Sequence, residues 1–502
     1  MKDTYKILLV AAECVPFAKS GGLGDVAGVL PKFLTKLGNK VSVVIPLYSF
    51  IDRKKFRIIP ELRDMEIRMG NELITCNVHK TTLHEDVNIY FIDYEPFFGR
   101  PNMYHDANFN DYSDNPKRFS FLSKAALQLC HEIDFVPDIV HANDWHTAII
   151  PAFLKRLFNK DPLFAGTGSL LTIHNIAYQG RYHRDFFGFT GLDWSDYTSE
   201  KFECHYAINL LKGGIHFADV VNTVSKGYAA ETRSAPGGHG LEEFLNTKGN
   251  DYAGILNGVD YTQWDPEKDT LIPANYSRND LNGKAICKKV LQKRMGLTPD
   301  DETPLIGIVS RLVEQKGFQM LSECIAGIME NMNVQFAILG EGDNHLENFY
   351  KKLPYSYPGQ IGTYIGYSNE LAHLIEAGSD MFLMPSLYEP CGLNQLYSLK
   401  YGTLPIVRAT GGLNDTVVNF DQDTGEGTGF VFKEPSSKAI YHTVEWAVDT
   451  YFDRKADFGH LVQMAMEQNF TWDSSTKEYM KLYKRAKEKV MRRKQQFHLE
   501  TT

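Results

Sequence analysis

Short, almost unbroken apolar runs recur along this chain, and nearly every one ends in a glycine-rich or polar loop that leads into a helical pattern. Residues 6–12 run into the loop 13–24 and then a helix through Leu37, with 41–46 as the next strand. Residues 138–142, 170–173 and 220–223 behave alike, the last followed by Ser225 as a helix N-cap. Apolar strands alternating with helices predict parallel sheets covered on both faces. Residues 52–101 alternate in shorter β-like pieces and predict an antiparallel excursion. The pattern restarts after about residue 250, with strands at 305–309, 335–339, 364–365, 381–384 and 404–407. Two α/β units joined near 254–260 follow, which suits 502 residues, too many for one ordinary core. Such sheets bind ligands at the carboxyl ends of their strands, so two facing units predict a substrate in the cleft between them.

A formal charge of −9 argues against general affinity for nucleic acid or acidic membranes. Seven scattered cysteines with no C-x-x-C pair read as reduced thiols, and the strand-like run starting at Lys6 leaves no room for a signal peptide. The expected address is the cytoplasm. Near the C-terminus, Tyr479, Leu482, Tyr483, Ala486 and Val490 form a stripe at helical spacing. That stripe needs a core, and the many Lys and Arg around it read as a solvated face.

Three strand-end loops carry chemistry. Lys19-Ser-Gly-Gly-Leu-Gly-Asp25 sets three glycines between strand and helix. Free N–H groups at the helix start and a mobile Lys19 suit a diphosphate, although a tight turn with a surface lysine explains the same residues. The loop is neither a dinucleotide fingerprint nor a Walker A motif. In residues 310–318, Arg311 and Lys316 share one strand–helix loop and can converge on one anion. Two plain surface cations are the alternative, but cations at a helix start oppose its dipole unless an anion binds. In residues 385–395, Pro390 and Gly392 break the chain around Glu389, a carboxylate able to grip sugar hydroxyls or to sit in a salt bridge beside a helix cap. Cys391 has no paired histidine and reads as a packed small residue. Gly411 and Gly412 close the next strand with room for backbone contact. His141 reads as a satisfied structural residue and His174-Asn175 as a ligand contact; Trp145 reads as a sugar platform or as core. Asp421-Gln-Asp423 resembles a metal motif but reads as a turn, and no metal is required.

Six segments appear in the order seen in bacterial glycogen synthases and starch synthases: 19–26, 141–146, 172–180, 256–260, 310–317 and 389–395. The resemblance runs from about residue 5 to about 485. It implies the α/β GT-B fold, two Rossmann-like doubly wound domains facing a deep interdomain cleft. Residues 1–250 would form the acceptor-side domain, joined by a crossover helix at 477–495, and 251–476 the donor-side domain. It implies a retaining hexosyltransferase that moves glucose from ADP-glucose to the non-reducing end of an α-1,4-glucan. The implied partners are glucan and sugar nucleotide, with no further cofactor, nucleic acid or membrane. Lys19, Gly22, Arg311 and Lys316 would hold the diphosphate, and Glu389 with Cys391, Gly392 and Gly412 the glucose. His174, Asn175, Asp144 and Asn257 would line the glucosyl pocket, His174 through its backbone carbonyl. Tyr367, Leu393 and Asn394 fall on the donor side, and Glu13, Tyr104 and Trp145 on the acceptor side. Many wider relatives carry a second Glu eight positions after the first; here that residue is Tyr397, as in the glycogen synthase branch.

Overall fold

Each apolar run becomes a strand of one of two sheets in the computed structural model, which describes residues 4–107 and 110–501, with side chains through 496. Contacts divide the chain into two units, Met1–Val224 with Ala229–Ile255 and Trp472–Thr502, and Ser225–Tyr228 with Leu256–Thr471.

Unit 1 carries strands β1 (Lys6–Val10), β2 (Lys40–Pro46), β3 (Ile59–Met69), β4 (Glu72–Leu83), β5 (Val87–Asp93), β6 (Ile139–Asn143) and β7 (Gly168–Ile173). A small sheet of β8 (Arg181–His183), β9 (Glu203–Cys204) and β10 (Ala207–Asn209) follows, then β11 (Val220–Thr223) and β12 (Tyr252–Gly254). The main sheet runs β12-β11-β7-β6-β1-β2-β5-β4-β3. It is parallel from β12 to β5, and the 52–101 excursion supplies its antiparallel edge. Seven-residue β2 is buried on both faces after Lys40, as a strand covered by helices on each side must be.

Unit 2 carries β13 (Leu305–Leu312), β14 (Gln335–Gly342), β15 (Ile361–Ile365), β16 (Met381–Met384), β17 (Leu404–Arg408) and β18 (Phe430–Phe432). All are parallel, in the order β15-β14-β13-β16-β17-β18. Numbered from its first strand, that order is 3-2-1-4-5-6, the doubly wound arrangement. Unit 1 repeats it from β5 through β2, β1, β6, β7 and β11. Winding therefore reverses between β1 and β6 in unit 1 and between β13 and β16 in unit 2.

The C-terminal helix Trp472–Thr501 belongs to unit 1 and lies against β6, β7 and β11. Its predicted stripe is buried, and the Tyr483 hydroxyl lies 3.0 Å from His141 Nδ1. The cations around the stripe are not simply solvated. Lys487 Nζ reaches Asp138 at 2.8 Å and Arg485 Nε reaches Asp251 at 2.6 Å, because these aspartates immediately precede β6 and β12. Gly168 lets the helix approach: a Cβ there would lie 3.0 Å from the Ala486 backbone and side chain. Among the described residues no helix is long and apolar enough to cross a membrane.

Gly168→Val forces that helix off β7. Overpacking of this kind costs about 1–3 kcal/mol, and thermal unfolding should show a melting temperature several degrees lower. An unchanged melting temperature would mean that the helix is not seated on Gly168.

Candidate functional site

At a winding reversal the two central strands send their loops to opposite faces, leaving a crevice that helices do not cover. In unit 1 the loops after β1 and β6 meet there. Glu13, only 3% exposed, organises the first. Its Oε2 accepts the Ser20 amide at 2.6 Å and the Gly21 amide at 3.2 Å, and its Oε1 accepts the Ser20 hydroxyl at 2.6 Å and the Tyr104 hydroxyl at 2.6 Å. This fixes the turn into the helix Gly22–Lys36, whose first amides have no side-chain cap. Lys19 stands beside that helix end, paired with Asp25 at 2.8 Å and about half exposed.

After β6 the backbone of Asp144 takes a left-handed turn, φ 55°. The buried carboxylate then accepts the His174 amide at 2.7 Å and the Asn175 amide at 3.3 Å from the end of β7. Burial raises its pKa to about 7, against the two amides that lower it, while the Glu13 charge adds to the rise. The His174 ring is buried and pushed down to about 3, so it is neutral. Its Nε2 lies 3.0 Å from Asn143 Oδ1, and its Nδ1 has no partner among the described residues. His141 is the satisfied structural residue its position implied, bonded to Tyr483 and Thr172. Trp145 is 7% exposed and wedged among Phe119, His146 and Tyr182, so the core reading holds over an open sugar platform.

In unit 2 the loops after β13 and β16 meet at its own reversal. Lys316 Nζ contacts Glu389 Oε2 at 2.6 Å, and the Ser386 hydroxyl donates to the same oxygen at 3.0 Å. Glu389 is 5% exposed, whereas Arg311 projects outward with no ion-pair partner among the described residues. Gly317, φ 76°, permits the approach of the two loops, since a Cβ there would lie 2.0 Å from the Pro385 carbonyl oxygen. Gly411, φ 44°, does the same beside the Glu389 carbonyl, which accepts the Gly412 amide at 3.0 Å. The β16 loop is pinned further by the Leu387 amide to Gln315 O at 2.8 Å and by Arg408 Nε to Ser386 O at 2.8 Å. Asn394 Nδ2 reaches Val309 O at 2.6 Å, tying the next helix to β13.

The Cys391 thiol is pushed up to about 12 by burial and rests against the Asn257 amide, which suits packing and not nucleophilic attack. Asn257 Oδ1 is buried without a partner among the described residues. Gly392 and Leu393 complete the same turn, both part-buried. Tyr367 is not brought to this cluster. It follows edge strand β15 and is 70% exposed. Tyr397 faces inward, stacked on Trp264 at 4.0 Å, with His373 on the other face of that indole at 3.6 Å. Asp421 accepts the Asp423 amide at 2.9 Å, the turn its sequence suggested, and among the described residues no three metal-capable side chains cluster. Sequence reasoning missed Ser386, Gln315 and Arg408; for Arg408, a cation closing a parallel strand was the available signal.

A starch synthase catalytic domain family model matches residues 6–247, and a glycosyl transferases group 1 model matches 291–460. Glycogen synthase 1 of Geobacter sulfurreducens is 47% identical over 484 residues, 96% of each chain. Glycogen synthase of Treponema denticola is 44% identical over 489 residues, covering 96% of this chain and 99% of that one. Among solved structures, the catalytic domain of starch synthase IV from Arabidopsis thaliana, bound to ADP and acarbose, matches with a TM-score of 0.90 and 32% identity. The match covers 97% of this chain and all of that one. Sucrose-phosphate synthase from Thermosynechococcus elongatus shares the fold, with a TM-score of 0.60 at 16% identity over 95% of this chain and 98% of that one.

The raised Asp144 pKa makes a stability prediction. In the unfolded chain this carboxyl ionises near pH 4 (about 3.9), so between there and about pH 7 the native protein holds an extra proton and loses stability as pH rises. Asp144→Asn stays neutral, can still accept the two amides and tolerates the left-handed turn. Its melting temperature should exceed that of the wild type more at pH 8 than at pH 5. An equal difference at both pH values would show that Asp144 does not ionise in this window.

Proposed function

Because this chain belongs to the glycogen synthase family, with a starch synthase catalytic domain in its first half, we propose that it lengthens an α-1,4-glucan with glucose from ADP-glucose, retaining the α configuration and releasing ADP. The observation that carries this reading is the 2.6 Å contact of Lys316 with buried Glu389 at the winding reversal of unit 2, on the loop that also presents unpaired Arg311. A sugar nucleotide calls for that combination: cations for a diphosphate, and a carboxylate for sugar hydroxyls. ADP in the starch synthase IV structure supports the choice of nucleotide.

As the bond from the sugar to the diphosphate breaks, positive charge grows at the anomeric carbon and negative charge on the leaving group. Groups that meet those charges only as they develop raise turnover. The reading assigns Arg311, Lys316, Lys19 and Gly22 to the diphosphate. Glu389 and the backbone of Cys391 and Gly392 hold the transferred glucose, braced by Gly412, whose amide donates to the Glu389 carbonyl. Asn257 lines that pocket, its unpartnered Oδ1 available to a hydroxyl. Leu393 and Asn394 take the nucleotide side. Asp144, gripping the His174 and Asn175 amides, sets the direction of the His174 carbonyl, the group assigned to the anomeric carbon. Glu13 and Tyr104 take the acceptor side, with Trp145 packed behind them. Among the described residues no carboxylate pair stands out with the acid-plus-nucleophile arrangement of a glycosidase. A diphosphate oxygen then takes the acceptor proton on the same face, which retains the configuration.

Purified protein incubated with glycogen and either ADP-glucose or UDP-glucose should lengthen the glucan and release ADP in equal amount, with UDP-glucose the poorer donor. Lys316→Ala and Glu389→Ala should each lower kcat by about 10²–10³, the loss typical of one preorganised group facing transition-state charge. Near-wild-type transfer by both variants would refute the assignment.

A further inference from the structure

Arg118 is 0% exposed, in the first turn of the helix Asn115–Glu132 of unit 1, yet among the described residues none of its hydrogen-bond partners is a carboxylate. Its Nε donates to the Phe97 carbonyl at 2.7 Å, and its Nη1 donates to the Met103 carbonyl at 2.8 Å and to Asn115 Oδ1 at 2.6 Å. The guanidinium lies 5.0 Å from the Tyr112 ring centre and 5.3 Å from that of Phe119. Asp114 stands nearby, but Arg100 grips it at 2.7 and 2.5 Å. A buried cation without a carboxylate is expensive, and an apolar side chain of similar size would fill the space at less cost. What the guanidinium supplies, through Nε and Nη1, is a fork that fixes two carbonyls of the connection between β5 and this helix, Phe97 in its one short helical turn and Met103 on the loop beyond; Nη2 has no partner among the described residues.

That loop delivers Tyr104. Asn115, held through its Oδ1 by Arg118, donates from its Nδ2 to the Tyr104 carbonyl at 2.9 Å, and the Tyr112 amide donates to the same carbonyl at 3.0 Å. With its backbone so held, Tyr104 points its hydroxyl at Glu13, 2.6 Å away, and Glu13 in turn holds Ser20 and Gly21. We propose that Arg118 is a positioning residue for the acceptor, setting the Tyr104 hydroxyl and through Glu13 the glycine-rich turn, without touching substrate itself. The inference rests on the glycosyl-transfer reading above and on its assignment of Tyr104 to the acceptor side. Burial works against the Arg118 charge, consistent with a cation retained for geometry at a cost in stability.

The test compares steady-state kinetics with maltotetraose as acceptor and ADP-glucose as donor. Arg118→Lys keeps the charge but loses the fork, and should raise the acceptor KM about tenfold while kcat and the donor KM stay within about twofold. Tyr104→Phe should raise the acceptor KM similarly, and the double variant should be no worse than Tyr104→Phe alone, because both cut one relay. Multiplying effects in the double variant, or an unchanged acceptor KM in folded Arg118→Lys, would overturn the proposal. Asn115→Ala leaves the buried charge alone and breaks the link to Tyr104. It should reproduce the acceptor-specific defect even if Arg118→Lys does not fold, and an unchanged acceptor KM there also overturns the proposal. Absence of transfer by the wild type would instead overturn the glycosyl-transfer reading.

Discussion

A parallel sheet wound outward in both directions from one strand cannot cover its own centre. Helices leaving β1 and β6 go to opposite faces, as do those leaving β13 and β16, and at each reversal the strand-end loops face each other unscreened. Polar backbone and side chains there must find partners among themselves or in a ligand. Candidate residues gather at these two places in the two units. The Glu13–Gly22 turn and Asp144 sit at one reversal, and the Arg311–Lys316 and Glu389 loops at the other. The fold decides where chemistry is affordable, and the loop residues decide which chemistry.

Three buried carboxylates show how the loops use that freedom. Glu13 is satisfied by two amides, a serine hydroxyl and a phenol, so it serves as a joint with little capacity left for ligand. Asp144 is satisfied by two amides of the neighbouring strand end and acts on their carbonyls. Glu389 alone among these three carries a lysine, and its charge is neutralised until something competes for that lysine. A diphosphate is a stronger partner for an ammonium than one carboxylate, and sugar hydroxyls can replace the ammonium at Glu389. The pair thus holds both groups in place at modest cost.

The strands were legible because a strand buried on both faces must be apolar throughout, and a helix must follow it to return the chain. The loops were legible because glycine and proline break the pattern where backbone must approach backbone, as at Gly317 and Gly411. Short elements without an apolar run were not. β8 to β10 are two or three residues long, and their pairing depends on tertiary contacts. The fate of Trp145 was undecided in sequence because core and sugar platform use the same ring; neighbours at Phe119 and Tyr182 settle it. The role of Arg118 was invisible for another reason. Its partners are mostly backbone carbonyls, which leave no trace in residue identity.

Electrostatic sign separates the two reversals. In unit 1 three histidines, His141, His146 and His174, are held neutral by burial, each pushed down to about 3. Neutral rings beside the Asp144 carboxylate and the His174 carbonyl add no positive charge of their own there. In unit 2 the reversal presents Lys316 on Glu389 and, on the same loop, exposed Arg311 with no ion-pair partner among the described residues, a surplus of positive charge suited to a phosphate leaving group. Breaking a sugar–phosphate bond leaves negative charge on the departing phosphate, and the cations gathered at this reversal are the groups able to meet it.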